Sequence, residues 1–214
     1  MNYDYVIVGA GSSGATLASR LTEDPETTVL LLEAGPNYTT AETPAEMRPP
    51  NPFGIIQSPE ASRDRFDGLL AERAAAQEPR LYWRGKGVGG SSSINGQIAI
   101  RPIPEDFAWW VEEGAEGWGW DDVLPYFNKL ETDLDYGDKP YHGDSGPVPV
   151  YRAPIAQQGN VDRALRAAAL DLGYPDDPDH NAPEGSGVAT YAINSRDSKR
   201  ISINDAYLEP ARSR

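Results

Sequence analysis

The chain has 214 residues, a length for one or two domains, and its 39% apolar content with 5 Trp and 11 Tyr can build a sizeable core. Its 33 acidic against 19 basic residues give a formal charge of −14, a field that repels phosphate backbones and disfavours nucleic acid as a partner. The absence of cysteine excludes disulfides, thiolate metal sites and a thiol nucleophile; with no leader and no apolar run of membrane length, a soluble cytoplasmic chain without a membrane partner is expected.

Tyr5 to Val8 is a short apolar run ending at Gly9, Ala15 to Leu21 has a helical pattern, and Thr28 to Leu32 reads as a buried strand. Two strands joined by one helix make a parallel βαβ unit. The next stretch, punctuated by Pro36, Pro44, Pro49, Pro50, Pro52 and Pro59, is expected to be a long excursion outside the core. Leu69 to Gln77 reads as helix on local propensity.

Residues 84–96 carry five glycines and three serines, a composition that cannot pack a core but can bring backbone N–H groups to a ligand. Two later helices are well marked. Asp121 to Glu131 has acids in its first turn, with Gly119 or Trp120 as the expected cap. Asn160 is the expected cap of a helix whose Val161, Ala164, Leu165, Ala168 and Leu172 share one face, and Gly173 ends it. Ser202 with Asp205 resembles a capping box opening a final helix.

Gly9-Ala10-Gly11-Ser12-Ser13-Gly14 fits the dinucleotide pattern G-x-G-x-x-G, directly after a strand and opening a helix. Gly9 permits the tight turn, Gly11 lets the backbone approach a pyrophosphate and Gly14 allows close helix–strand packing. The helix N-terminus would face the negative charge. Glu33 ends the next strand, 33 − 14 = 19 residues beyond the last glycine. It can accept from a ribose 2′-hydroxyl and would repel a 2′-phosphate, which disfavours NADP. Gly85-Lys86-Gly87 lacks the frame of a P-loop. Two nests of backbone donors in one chain suit one ligand with two ends.

The segment from Arg84 through Val88, Gly89, Gly90, Ser91, Ser92 and Asn95 to Arg101 resembles the first signature of the glucose–methanol–choline (GMC) oxidoreductases. The similarity continues in Gly117 to Phe127, in Tyr141 to Pro147 and in Ala206 to Ala211, so it covers nearly the whole chain. The resemblance implies FAD bound in an extended form and an alcohol oxidised by hydride transfer to flavin N5. By position, Gly9, Gly11, Ser12, Ser13, Gly14, Glu33 and Ala34 would hold the ADP half. Arg84, Gly85, Lys86, Val88, Gly89, Gly90, Ser91 and Ser92 would contact the phosphates and ribityl chain, and Asn95, Gly96, Gln97 and Ile98 the flavin. The resemblance also implies that Leu69 to Ala71 is extended, against its propensity.

Some departures bear on function. Ile94 stands where some members carry a histidine bonded covalently to FAD, so FAD is expected to be non-covalent. Pro102 replaces a frequent glycine, and Gly119 a frequent capping serine. The family's catalytic histidine lies near the C-terminus of chains more than twice this length. The two histidines here, His142 and His180, lie in Gly- and Pro-rich loops and are expected to bond locally, so no catalytic residue is assigned. No His/Asp/Glu spacing supports a metal site.

The expected fold is α/β: an incomplete Rossmann-like FAD-binding domain over residues 1–140, the beginning of an α+β substrate-binding domain over 141–195, and a return to the FAD domain over 196–214. The expected partners are a small alcohol and a companion polypeptide carrying the C-terminal half. The alternatives are a flavoprotein of this fold doing non-redox or light-driven chemistry, and a non-catalytic flavin-binding subunit.

Overall fold

A computed structural model describes residues 2–58 and 63–214. They form two compact units, Met1–Gln97 with Asp197–Arg214, and Ile98–Arg196. Within the second unit the Arg101 backbone N–H donates to Asn181 and its guanidinium reaches Tyr141 O and Glu131, which ties the chain after Gln97 to those later segments. No helix among the described residues is long and apolar enough to cross a membrane.

In the first unit, β1 (Tyr5–Val8) and β2 (Val29–Leu32) pair in parallel with Tyr5 opposite Val29 and Val8 opposite Leu32. They are joined by α1 (Ser12–Leu21), as the periodicity predicts. Gly14 makes this packing possible: a Cβ there would stand 2.0 Å from Gly9 O and 3.1 Å from an Ile7 methyl. The sheet has only these two strands among the described residues, and β1 leaves Val8 83% exposed and Val6 59% exposed.

The proline-rich excursion departs from expectation. It contains two 3₁₀ turns, Thr40–Glu42 and Ala45–Met47, and the short helix α2 (Phe53–Gln57), and it supplies the core itself. Tyr38, Met47 and Ile55 bury against Ala10 and Val88, with Leu31, Ile94 and Leu208 packed around them. Met47 and Ile55 are almost fully buried, each worth about 1.5–3 kcal/mol of transfer free energy. Proline forbids ladder pairing but not side-chain burial. Pro59 lies outside the described residues.

The helix expected over Leu69 to Gln77 is not formed. Leu70–Ala71 is instead a strand, β3, antiparallel to β4 (Arg80–Leu81), and Tyr82 N–H donates to Leu69 O at 2.8 Å. Backbone pairing across the hairpin outweighs helix preferences of a few tenths of a kcal/mol per residue. The unit closes with a π-helical turn, Asn204–Leu208, against α1. The expected Ser202–Asp205 cap opens it: the Asp205 carboxylate accepts from Ser202 N–H at 2.8 Å and from its hydroxyl at 2.7 Å.

In the second unit, α3 (Pro104–Glu112) and α4 (Trp120–Leu130) bury Phe107, whose ring lies 5.5 Å from Trp110 and 6.0 Å from both Trp120 and Phe127. α4 starts behind Gly119, whose N–H donates to Asp122. It leads into β5 (Glu131–Asp133), parallel to β6 (Val148–Val150). α5 (Asn160–Asp171) is capped by Gly159, one residue earlier than expected, because Asp162 accepts from the Gly159 N–H. Its Val161 and Leu165, and Leu172 at its end, expected to share one face, are exposed.

A buried ionic cluster organises this unit. His142 directs Nδ1 at Glu131 (2.7 Å) and Asp133 (3.3 Å), and Nε2 at Asp179 (2.8 Å). Both ring nitrogens face carboxylates, so both must donate and the ring is an imidazolium. Arg101 pairs with Glu131, and Arg152 with Asp133 and Asp179, at 2.9 and 2.6 Å for the last two; the more exposed Asp135 stands 3.5 Å from Arg152. Three buried cations thus meet three buried carboxylates, the condition under which such burial is tolerable.

Glu131, Asp133 and His142 could by distance hold a metal ion, a grouping no sequence spacing disclosed. The guanidinium groups of Arg101 and Arg152 already occupy these carboxylates, which marks the cluster as an ion-pair network.

Burial opposes the charge on His142, but hydrogen bonds to Asp179 and Glu131 and the charge on Asp133 outweigh it, raising the pKa from 6.5 to about 9. Asp179 is held below the usual carboxylate range. There too burial opposes, and the His142 bond and the Arg152 charge prevail. A raised folded-state pKa gives stability that is complete below about pH 6.5 and lost as pH rises through about 9. Thermal melts across this window should show a fall of roughly 3 kcal/mol that is absent from His142→Gln. An equal slope in that variant would assign the loss to other groups.

Candidate functional site

The two glycine-rich segments meet within the first unit. The turn Gly9–Gly11 ends β1, and Ser12 and Ser13 start α1, where the first N–H groups have no intrahelical acceptor and the helix dipole is positive. Opposite them runs a 3₁₀ turn, Gly90–Ser93. A Cβ on Gly90, whose φ is +52°, would stand 2.7 Å from Gly11 Cα, so only glycine permits this approach. The open groove between the segments has a volume of about 650 Å³ and is lined by Gly9, Gly11, Ser12, Glu33, Ala34, Phe66, Arg84, Gly85, Gly90 and Ser91, with Val8 and Leu32.

Glu33 joins the two segments. One carboxylate oxygen, Oε2, accepts from Ala10 N–H at 2.7 Å in the first loop. The other, Oε1, accepts from Gly35 N–H and from Gly87 N–H in the second loop, both at 2.9 Å. A carboxylate offers about four acceptor positions, so about one remains for a ligand hydroxyl. Gly89 N–H to Ala10 O, at 2.9 Å, adds a direct backbone bond between the loops.

The other expected residues divide. Gly85 donates to Ser91 Oγ, and the guanidinium of the exposed Arg84 lies over the Tyr82 ring and donates to its hydroxyl. Lys86 lies 5.9 Å over the ring of Phe66, an aromatic the sequence did not single out. Val88 is a core residue, and Ser92 Oγ is engaged with Gly89 O and Ile203 N–H. Gly96 is exposed, while Gln97, with φ +60°, is buried and donates through Nε2 to Pro50 O at 2.6 Å. Ile98 belongs to the second unit, where it bridges Ile193.

Free helix N–H groups, an exposed arginine in an otherwise acidic chain and walls stripped of Cβ atoms match the chemistry of a bound pyrophosphate. This is the geometry of a dinucleotide-binding α/β fold.

The family model described as GMC oxidoreductase matches residues 3–214. The chain is 38% identical to a 5-(hydroxymethyl)furfural oxidase of Methylovorus sp. strain MP688, covering 97% of this chain and 40% of that one. It is 41% identical to an oxygen-dependent choline dehydrogenase of Xanthomonas euvesicatoria pv. vesicatoria, covering 99% and 38%. The crystal structure of a pyridoxine 4-oxidase from Mesorbium loti superposes with a TM-score of 0.83 at 36% identity, over 97% of this chain and 39% of that one. The chain therefore belongs to the GMC oxidoreductase family, and FAD is its cofactor.

It spans about two fifths of the length of the curated relatives it matches. Those relatives are longer single chains, which leaves the expected companion polypeptide without support.

Glu33→Gln retains one acceptor oxygen where the loops use two. Flavin-free protein carrying it should lose roughly 2 kcal/mol in thermal unfolding, and FAD affinity should fall with it. A variant that melts like wild type without FAD would limit Glu33 to a ribose contact.

Proposed function

We propose that this chain is the flavin-holding part of an FAD-dependent enzyme that oxidises the CH–OH group of a small alcohol. The groove carries the reading, because it joins a helix N-terminus, Arg84 and glycine walls around the end of β2. Gly9, Gly11, Ser12, Ser13, Gly14, Glu33 and Ala34 would hold the ADP half. Arg84 to Lys86 and Val88 to Ser92 would follow the phosphates and ribityl chain. Asn95 to Ile98 would approach the flavin. Residues 141–195 would begin the substrate-binding domain. When bound, FAD supplies the two-electron acceptor, and the protein supplies position and electrostatics.

The proton-accepting base would lie outside residues 1–214. Both nitrogens of His142 are committed to buried carboxylates, and His180 Nε2 bonds Gly187 O at 3.0 Å. Relatives named for oxidation of a hydroxymethylfurfural, choline and pyridoxine support a primary alcohol as substrate class. Anaerobic titration of the full-length, flavin-loaded protein with a series of primary alcohols should bleach the visible flavin bands. Persistence of the oxidised spectrum with every alcohol would reject the reading.

Ile94 packs beside the apolar core and offers no nucleophile, so FAD should be held non-covalently. Acid precipitation should leave the yellow colour in the supernatant, whereas a coloured pellet would reveal a covalent link.

A further inference from the structure

Arg200 is only 5% exposed, yet it makes no ion pair among the described residues. Its Nε donates to Met47 O at 3.1 Å, and its Nη1 donates to Ser92 O at 3.1 Å and to Asn95 Oδ1 at 3.0 Å. Its Nη2 is buried and meets no acceptor among the described residues. Burial lowers its pKa to about 10, against the opposing charge of Asp205, so the group remains a cation at neutral pH. A buried guanidinium bound only to neutral acceptors is costly to keep, and every one of those acceptors belongs to the excursion or to the second glycine-rich segment.

Asn95 is the informative partner. Its Oδ1 receives two donors, Arg200 Nη1 and, at 2.9 Å, Gln97 N–H. Neither a guanidinium nor a backbone N–H can accept, so the oxygen must face inward and the amide cannot turn over. Asn95 itself is exposed, and its Nδ2, fixed opposite that oxygen, is a donor with no hydrogen bond to the described residues. Asn95 begins the stretch assigned above to the flavin, and the inference rests on that reading.

We propose that Arg200 is a positioning residue: it locks the amide of Asn95 so that Nδ2 is presented as a hydrogen-bond donor to an acceptor atom of the flavin ring. It does so through the end of the Gly90–Ser93 turn, which its bond to Ser92 O also fixes.

The test uses full-length protein, with FAD affinity and the visible flavin spectrum as readouts. Asn95→Asp keeps both inward acceptor contacts but replaces the donor with a charged acceptor. Asn95→Leu removes donor and acceptor without adding charge. Both should weaken FAD binding roughly tenfold or more and shift the flavin bands in the same direction. Arg200→Met should do the same, and the Arg200→Met/Asn95→Leu double variant should be little worse than either single one, since the two act as a unit.

Wild-type affinity and spectrum in Asn95→Asp would overturn the proposal, as would a loss in that variant that disappears at high salt, which reports added charge alone. Additive losses in the double variant would likewise overturn it. If Arg200→Met fails to fold, the Asn95→Asp comparison still decides. Wild-type protein that binds no FAD would refute the flavin reading itself, a result distinct from all of these.

Discussion

The groove exists because one carboxylate satisfies backbone donors from two distant loops. Glu33 takes Ala10 on one side and Gly35 and Gly87 on the other, and these N–H groups have few alternatives in loops so rich in glycine. Loops of this composition gain little from side-chain burial and have much backbone freedom to lose. Charge-assisted bonds from a residue anchored at the end of a strand are a direct way to hold them. The same atom group that would read a ribose hydroxyl is therefore also what shapes its surroundings. Specificity and local order share a single side chain.

Charge is handled differently in the two units. The chain carries −14 overall, and in the second unit the buried Glu131, Asp133 and Asp179 are each matched to a cation. There the histidine of the Tyr141 to Pro147 motif serves as a structural cation, which removes it from consideration as a base. The first unit tolerates the opposite arrangement, with Arg200 buried beside neutral acceptors and Arg84 left exposed at the groove. A net-negative protein that must hold an anionic cofactor needs such local positive sites, because long-range repulsion is screened within about 10 Å while contacts at a helix N-terminus and a guanidinium are not.

The apolar groups left open are consistent with a chain that spans two fifths of its relatives. β1 exposes Val6 and Val8, and the α5 segment exposes Val161, Leu165 and Leu172, at positions whose periodicity marks them for burial. Pattern identifies which face is made to be covered. It does not identify the cover.

The sequence alone determined β1, α1 and β2, because the periods of strand and helix and the three glycines of the intervening turn are local properties of a short segment. It also determined the family, through motifs spread along nearly the whole chain, and the Ser202–Asp205 cap, which needs only four residues. Tertiary structure decided the rest. Leu70–Ala71 became a strand because it found Arg80–Leu81 across a hairpin, and Met47 and Ile55 became core residues because a proline-rich path folded back over Val88. Glu131, Asp133, His142 and Asp179 converged from segments with no common spacing, and Arg200 reached Asn95 across 105 positions. The physical reason is the same in each case: a side chain's partners are fixed by where the backbone travels, and local propensities of a few tenths of a kcal/mol yield to burial and pairing energies several times larger.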